Sequence, residues 1–316
     1  MTAPGSIAGS RVRIAILGSG AVGGYYGARL VQAGAEVHFL YRSELEVVRQ
    51  SGLRLESVDG NWQGPVNAWG SVDEMPVCDL AILGFKWAQS PLLATMLPRV
   101  LGQEGVAVSL MNGLGSEEVC AHAVGPERVL GGAAFICAER GVPGTVHHYA
   151  AGGLAFAPYF DVGRERLQAV ADHLGDIFRA GGVPVRRATD GRKVKWGKLV
   201  WNVPFSGLSI YLGGVTTDVI LQHHRGFASD LMQEVLAGAR ADGVELDPRM
   251  ASDNMAQTEG MGAYRPSILV DFQKGRPTEH EAIVGEPLRR AEAAGIAVPR
   301  MRELYEGILA RIAPPG

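Results

Sequence analysis

Lys198 and Asn202 are two polar residues inside an apolar stretch in the second half of the chain. They are four residues apart, so a helix would place them on one face; the stretch from 196 to 203 also holds two tryptophans, two valines and a leucine. Burial lowers the pKa of a lysine, and an acid that works near neutral pH needs a lowered pKa. The pair therefore indicates acid chemistry. The same pattern also suits a core helix whose lysine extends its ammonium into water, and Pro204 predicts a kink nearby.

A glycine-rich pattern lies near the start of the chain. The spacing G-x-G-x-x-G is formed by Gly18, Ser19, Gly20, Ala21, Val22 and Gly23. It follows an apolar run at 12–17 that predicts a buried strand, and it opens a helical pattern, the context that dinucleotide binding requires. In that context Gly18 makes the tight turn, Gly20 admits the pyrophosphate and Gly23 lets the helix pack on the strand. The alternative is an ordinary glycine-rich turn without a ligand.

The end of the second predicted strand, Glu36–Tyr41, indicates which dinucleotide binds. An NAD enzyme usually carries Asp or Glu there, roughly 20 residues after the glycines, to bond the ribose 2′-hydroxyl. This chain has Arg42 instead, and the first carboxylate after the strand is Glu44. Because a guanidinium binds phosphate through paired hydrogen bonds, Arg42 favours the 2′-phosphate of NADP. The alternative is an arginine that faces water at a strand end.

Two later apolar runs also end on polar residues, Lys86 and Asn112. Ligands of a doubly wound sheet bind beyond the carboxyl ends of its strands, so both side chains are candidates for ligand contact. Asn112 precedes Gly113, however, and Asn-Gly is a common turn dipeptide.

The elements around these residues predict the α/β fold class, with an N-terminal Rossmann-like doubly wound sheet followed by an all-helical C-terminal domain. The predicted strands are 12–17, 36–41, 53–56, 80–84, 106–111, 129–134 and a β-rich stretch at 145–156. The predicted helices are a first one ending near Gly34, then 43–50, 90–100, 116–123, 167–180, 192–211, 227–241, 248–258, 266–273, 278–294 and 299–312. Alternating strands and helices favour a parallel sheet. We predict an NADP-binding domain at 1–189 and a helical substrate-binding and catalytic domain at 190–316, in which Thr278 and Glu281 match a capping box.

Composition excludes several other classes of protein. The chain has 316 residues with a net charge of −3, and its scattered basic residues form no nucleic-acid surface. Three widely spaced cysteines indicate a reducing compartment, the first ten residues lack a signal-peptide pattern, and the uncharged stretches 141–160 and 199–217 hold prolines and polar residues unsuited to a membrane. We expect a cytoplasmic protein without a metal, since the histidines lack ligand spacing. The oligomeric state stays open, a homodimer included.

Five ordered motifs carry a resemblance to a known family. They are GSGAVGGYYGARL, GFKWAQ, MNGLG, WGKLVWN and RPSILVDFQKGRPTEHEAIVG, and with them nearly the whole chain resembles the ketopantoate reductase family. The resemblance implies NADPH-dependent reduction of the C2 ketone of ketopantoate (2-dehydropantoate) in pantothenate synthesis. It assigns the general acid to Lys198, substrate binding to Asn202, Ser267 and Asn112, an active-site carboxylate to Glu279, and cofactor contact to Lys86 and Asn112.

One position departs from the family pattern. The family often has a second asparagine four residues after the first, where this chain has Ser206. A serine can still bond a substrate carboxylate or hydroxyl, also through water. Without the resemblance, Glu279 in the first turn of a helix would simply complement the helix dipole, and Ser267 would mark a helix start after Pro266.

The resemblance implies a substrate held between the two domains, with Lys198 protonating or polarising the alkoxide that forms at C2. Three alternatives remain: a reductase of a related 2-oxo acid, a β-hydroxyacid dehydrogenase, which also carries Lys-x-x-x-Asn, and a non-catalytic NADP-binding sensor.

Overall fold

The structure is a computed structural model that describes residues 12–313. The chain forms two compact units. One comprises the described residues up to Met111 together with Glu117–Gly191; the other comprises Asn112–Ser116 and the described residues from Arg192 onward. The prediction about a signal peptide concerns the first ten residues and lies outside the described range.

The first unit is built on one sheet. Its strands are β1 (Arg13–Leu17), β2 (Glu36–Leu40), β3 (Leu53–Ser57), β4 (Trp62–Gly64), β5 (Asn67–Trp69), β6 (Cys78–Leu83), β7 (Leu101–Ser109), β8 (Val129–Arg140), β9 (Thr145–Pro158) and β10 (Val185–Arg187). They are ordered β4-β3-β9-β8-β7-β6-β1-β2-β5, and β10 pairs with β9. The pairs that flank the glycine turn are parallel, with Ile14 of β1 opposite Val37 of β2 and Leu80 of β6.

The sheet is mixed rather than parallel throughout, which corrects one detail of the α/β prediction. Strands β8 and β9 pair antiparallel, as do β3 and β4. The β8–β9 pair runs from Leu130 opposite Pro158 to Arg140 opposite Val146, so it forms a long hairpin. A short turn allows antiparallel pairing of consecutive strands, whereas a parallel pair needs a long crossover. The α/β fold class itself is confirmed.

Helices cover both faces of this sheet. They are α1 (Ala21–Gln32), α2 (Leu45–Ser51), α3 (Leu93–Val100), α4 (Ser116–Val124) and α5 (Arg164–Ala180). Alternate residues of a strand point to opposite faces. Ile14 and Ile16 of β1 accordingly belong to one buried apolar cluster, while Ala15 and Leu17 belong to another. Both faces of the central strands are therefore buried, as a doubly wound sheet requires.

The second unit is helical. Its helices are α6 (Gly191–Tyr211), α7 (Thr217–His223), α8 (Arg225–Ala241), α9 (Met250–Glu259), α10 (Ser267–Gln273), α11 (Glu286–Ala293) and α12 (Pro299–Ile312), and a π-helical turn (Glu281–Gly285) precedes α11. Its core gathers Trp196 and Phe205 of α6 with Leu231 of α8 and Met301 of α12. The expected kink at Pro204 does not interrupt α6. No helix within residues 12–313 is long and apolar enough to cross a membrane.

Candidate active site

Two glycines of the glycine-rich turn are required by the fold of the first unit itself. Gly18 has a φ of +96°, and a Cβ there would lie 2.7 Å from the carbonyl carbon of Gly84 at the end of β6. A Cβ on Gly23 would lie 2.3 Å from the carbonyl oxygen of Gly18. Both distances are far shorter than real carbon contacts, so the strand-to-helix turn closes only around glycine.

Gly20 is different, because no contact within residues 12–313 requires a glycine there. Its φ is −81°, which any residue adopts, and the nearest atom to a Cβ would be Cδ of Arg140 at 4.0 Å. The residue caps α1, and among the described residues no side chain caps that helix and its first turn contains no acid. The space over Gly20 and the amides that follow it therefore suits a phosphate group.

The rest of the turn leads to the end of β2. The hydroxyl of Ser19 donates a hydrogen bond of 2.8 Å to the carbonyl oxygen of Leu40, while Ala21 and Val22 begin α1 half-buried. Arg42 follows β2 and is exposed. The carboxylate of Glu44 is not open to a ribose, because it pairs with Arg140 and its Oε2 accepts the amide of Gly144 at 3.1 Å. The residues present thus fit a dinucleotide with a phosphate near Arg42.

Lys86 lies at the end of β6, where it precedes a 3₁₀ turn (Trp87–Leu92). Its side chain is exposed, and its carbonyl oxygen accepts the amide of Gln89 at 2.9 Å. The 3₁₀ turn occupies the start of the helix predicted at 90–100, because Pro91 lacks the amide hydrogen that a helix interior uses.

In the second unit, three of the predicted residues form a chain of hydrogen bonds. Nζ of Lys198 donates to Oδ1 of Asn112 at 2.8 Å, and Nδ2 of Asn112 donates to Oε2 of Glu279 at 3.0 Å. Lys198 is half-buried and Glu279 is 3% exposed. A buried carboxylate such as that of Glu279 needs a hydrogen-bond donor, and Asn112 supplies one. The same Asn112 amide also accepts from Lys198, so the cluster contains one ammonium, one amide and one carboxylate.

The position of Asn112 is determined by the residues that follow it. Gly113 has a φ of +79°, and a Cβ there would lie 2.2 Å from the carbonyl oxygen of Ala282. That oxygen accepts the amide of Leu114 at 3.0 Å. The loop of Asn112–Ser116 therefore docks on the π-helical turn, and the docking brings Asn112 to Glu279, three residues before Ala282.

Glu279 begins the helical segment, because its carbonyl oxygen accepts the amide of Ile283 at 3.1 Å and His280 is the first helical residue. The capping box predicted for Thr278 and Glu281 is wrong. The Thr278 hydroxyl is 2.8 Å from Nδ1 of His280, and Oε1 of Glu281 accepts from the Tyr305 hydroxyl at 2.6 Å. Side-chain partners from the same turn and from α12 take the place of the backbone amides.

Charges around the π-helical turn favour an ionised Glu281. Burial by itself raises the pKa of this carboxyl, but hydrogen bonds from Tyr305 and Arg289 and the nearby positive charges outweigh it, so the pKa lies below its ordinary value. Burial lowers the pKa of His280 more than the neighbouring Glu281 raises it. Both groups therefore prefer the state in which Glu281 is charged and His280 is neutral.

Asn202 and Ser206 continue the face of α6 that carries Lys198. They are 7% and 4% exposed, yet within residues 12–313 neither side chain forms a hydrogen bond. Buried polar groups are normally paired, so these two are available to a ligand. Ser267 is the first residue of α10 and is exposed.

Sequence reasoning missed two residues that shape these sites. Arg140 at the end of β8 reaches both Gly20 and Glu44, although it is 96 positions from Glu44. Ala282 contributes through its backbone carbonyl, which has no signature in the sequence. The sequence signal for such a contact is Gly113, because a glycine can mark a place where another group approaches the backbone closely.

Comparison with known proteins gives the family of the chain. Residues 14–160 match the family model described as Ketopantoate reductase PanE/ApbA, and residues 190–311 match its C-terminal counterpart. The fold and these matches are those of an oxidoreductase that uses a pyridine nucleotide. More narrowly, the chain belongs to the ketopantoate reductase family.

Individual relatives span the same length. The chain is 37% identical over 298 residues to a 2-dehydropantoate 2-reductase from Nostoc sp., covering 93% of each. The crystal structure of 2-dehydropantoate 2-reductase from Geobacter metallireducens superposes with a TM-score of 0.89 at 36% identity, covering 95% of this chain and 99% of that one. A D-mandelate dehydrogenase with NADH and anilino(oxo)acetate shares the fold, with a TM-score of 0.84 at 22% identity, over 95% and 98% of the two chains.

Proposed function

We propose that the protein reduces the C2 ketone of 2-dehydropantoate to give pantoate, with NADPH as the reductant, in pantothenate biosynthesis. The observation that carries the proposal is the Lys198–Asn112–Glu279 chain of hydrogen bonds beside the unpaired Asn202 and Ser206. This set offers a proton, an amide, a hydroxyl and a carboxylate, which match the ketone, the carboxylate and the terminal hydroxyl of that substrate.

The first unit supplies the cofactor site of the proposal. Gly20 leaves room for a pyrophosphate over the start of α1, and Arg42 offers its guanidinium to a 2′-phosphate. Lys86, at the end of β6, is the further cofactor-side residue of the proposal. The bound reduced nicotinamide supplies the hydride that the ketone carbon receives.

Lys198 is the proposed general acid. As hydride reaches C2, negative charge develops on the ketone oxygen, and a positioned ammonium stabilises that charge and then delivers a proton to it. Asn112 orients the ammonium, because its Oδ1 accepts a hydrogen bond of 2.8 Å from Nζ of Lys198. An acid held in place contributes about 10²- to 10⁴-fold to the rate.

Glu279 is the proposed anchor for the far end of the substrate. The amide of Asn112 donates to Oε2 of Glu279 and so holds the carboxylate in one orientation, from which it accepts a hydrogen bond from the substrate's terminal hydroxyl. Asn202, Ser206 and Ser267 are the proposed donors to the substrate carboxylate and hydroxyl. A carboxylate that accepts several such hydrogen bonds is bound in a fixed position.

Ser206 favours a second candidate function, the reduction of a related 2-oxo acid. Serine is shorter than the asparagine that the family often has at this position, so a substrate bound beside α6 can carry a larger substituent at C3. A 2-oxo acid that lacks the terminal hydroxyl would leave Glu279 unused.

A panel of 2-oxo acids, assayed with NADPH and with NADH, tests these proposals. We expect the highest kcat/KM for 2-dehydropantoate with NADPH, and a loss of about tenfold or more when the terminal hydroxyl is absent, because Glu279 is then left without its partner. A higher kcat/KM for a 2-oxo acid without the hydroxyl would support the second candidate. Binding of NADPH without turnover of any panel member would indicate a sensor. A parallel assay of 3-hydroxyacids with NADP⁺ tests the remaining alternative, because turnover in that assay alone would indicate a β-hydroxyacid dehydrogenase.

A further inference from the structure

The tip of the β8–β9 hairpin borders the proposed cofactor site on one side. The hairpin turns at Gly144, whose φ is +81° and whose missing Cβ would lie 3.4 Å from Cγ1 of Val47 in α2. Gly144 also donates its amide to Oε2 of Glu44 at 3.1 Å, in a buried hydrogen bond. The tip is therefore attached to the segment between β2 and α2, where Arg42 lies.

Arg140 extends from this hairpin between two parts of the site. Its Cδ would lie 4.0 Å from a Cβ on Gly20, so its aliphatic stem passes beside the glycine turn. Its guanidinium pairs with Glu44. The Arg140 side chain is 49% exposed, whereas that of Glu44 is 10% exposed, so part of the guanidinium still faces outward.

The carboxylate of Glu44 must be neutralised before a 2′-phosphate can bind beside it, and Arg140 supplies the opposite charge. An unpaired carboxylate at the end of β2 would repel a 2′-phosphate and would accept hydrogen bonds from the two ribose hydroxyls of NAD. Arg140 pairs with one oxygen of Glu44 and the Gly144 amide donates to the other. Glu44 therefore neither repels a 2′-phosphate nor accepts from the ribose hydroxyls. The charge of Arg140 is also felt by buried Tyr41, where burial raises the pKa of the hydroxyl and Arg140 opposes part of the rise.

We infer that Arg140 is a second phosphate-binding guanidinium, which acts with Arg42 on the 2′-phosphate of the cofactor and, by neutralising Glu44, determines the preference for NADP over NAD. This inference rests on the proposed function, since it concerns the cofactor of that reaction. Two guanidiniums around one phosphate are a common arrangement, because each offers two parallel hydrogen bonds to phosphate oxygens.

Calorimetric titration with 2′,5′-ADP and with 5′-ADP measures the contribution of the 2′-phosphate without any turnover. For the wild-type protein we expect tighter binding of 2′,5′-ADP. Arg140→Met should lower this preference by about 10- to 100-fold, because hydrogen bonds to charged groups are lost. Arg187→Met is the matched control. Arg187 lies on β10 of the same unit and pairs with Asp172 at 2.8 Å, and its replacement should leave the preference unchanged.

Two further variants separate binding from folding. Arg140→Lys keeps the charge but not the paired hydrogen bonds, and should retain part of the preference. Arg140→Met leaves the carboxylate of Glu44 without its ion pair and should lower the melting temperature. Adding Glu44→Gln removes that carboxylate, so the double variant should regain the melting temperature and part of the affinity for 2′,5′-ADP. The nucleotide affinities of each single variant and of the double variant can be compared as long as that variant unfolds cooperatively.

The outcomes distinguish the inference from the proposed function. If the wild type binds both nucleotides equally, NADP preference and the role of Arg140 are both wrong. If the wild type prefers 2′,5′-ADP and Arg140→Met, Arg140→Lys and the double variant keep the whole preference, only the role of Arg140 is wrong. An equal loss of affinity for both nucleotides would also overturn it, because Arg140 would then act on the shared part of the ligand.

Discussion

The ammonium of Lys198 donates to Oδ1 of Asn112, and the opposite end of the same amide donates to Glu279. An ammonium only donates and a carboxylate only accepts, so a single orientation of the Asn112 amide satisfies both neighbours. The amide therefore holds the proposed acid and the proposed substrate anchor in a fixed relationship. No other uncharged side chain of the same size has an acceptor and a donor at its two ends.

Lys198→Met should lower kcat by about 10²- to 10⁴-fold, because the proton donor for the developing alkoxide is removed while the apolar stem is kept. Binding of NADPH should change little, since the glycine turn lies in the other unit. Steady-state kinetics with 2-dehydropantoate and a fluorescence titration with NADPH measure the two effects. Lys193→Met, an exposed lysine of the same helix, is the control, and equal kcat values in the two variants would contradict the assigned role.

Asn112→Asp should destabilise the second unit, because two carboxylates then face each other where a 3.0 Å hydrogen bond exists now. We expect the free energy of unfolding to fall by about 1–3 kcal/mol. Glu279→Gln added to this variant should restore part of the loss, since a glutamine amide can donate to the new aspartate. Urea denaturation of the four proteins gives the coupling energy between the two positions; strictly additive effects would show that they do not interact.

Local patterns in the sequence were sufficient to predict the glycine turn and the helix that carries Lys198. In both cases the decisive residues are neighbours in the chain, at Gly18, Gly20 and Gly23 or four apart at Lys198 and Asn202. Strand β5 shows the limit of such patterns, because its three residues are too few to display a periodicity.

The contacts of Asn112 could not be predicted from spacing. Glu279 is 167 positions away and Lys198 is 86 positions away, so the cluster depends on how the chain folds. The family resemblance named the three residues without their hydrogen bonds. The π-helical turn was also missed, because its side-chain partners, such as Tyr305 to Glu281, come from a distant helix.

Gly113→Ala should cost both stability and activity. Its φ of +79° is strained for alanine, and its Cβ would meet the Ala282 carbonyl oxygen at 2.2 Å, so the loop that carries Asn112 must shift. Gly243→Ala is the matched control, because Gly243 has a φ of +78° and, in the described part of the chain, no atom within 4 Å of a Cβ. Backbone strain alone costs about 1–2 kcal/mol. We expect Gly113→Ala to exceed that loss in urea denaturation and to lower kcat about tenfold or more through the displaced amide; equal losses in the two variants would mean that the close contact has no role.

Stability should decrease as the pH falls, in part through His280. Burial lowers the pKa of His280 in the folded protein below its ordinary value of 6.5. The unfolded chain therefore binds the proton more readily, and the free energy of unfolding falls as the pH drops through about 6.5. Glu281 adds a second loss at lower pH, because its folded pKa lies below its ordinary value of 4.5.

His280→Gln should reduce the slope of unfolding free energy against pH between about pH 7 and pH 5. The control is His223→Gln, an exposed histidine at the end of α7, which should leave the slope as in the wild type. Glu281→Gln should change the curve at lower pH, below about 4.5, where the wild-type carboxyl begins to bind its proton. An unchanged slope in His280→Gln would show that this histidine binds protons equally well in the folded and unfolded states.

Gly20→Ala and Gly23→Ala should separate ligand binding from folding within one turn. A Cβ on Gly20 has Cδ of Arg140 at 4.0 Å as its nearest neighbour, whereas a Cβ on Gly23 would be 2.3 Å from the Gly18 carbonyl oxygen. Gly20→Ala should therefore melt close to the wild-type temperature but bind NADPH about 10- to 100-fold more weakly, because the methyl group occupies the space of the pyrophosphate. Gly23→Ala should melt at a lower temperature even without a ligand. Thermal denaturation and fluorescence titration measure both variants, and full NADPH affinity in Gly20→Ala would mean that the phosphate lies elsewhere.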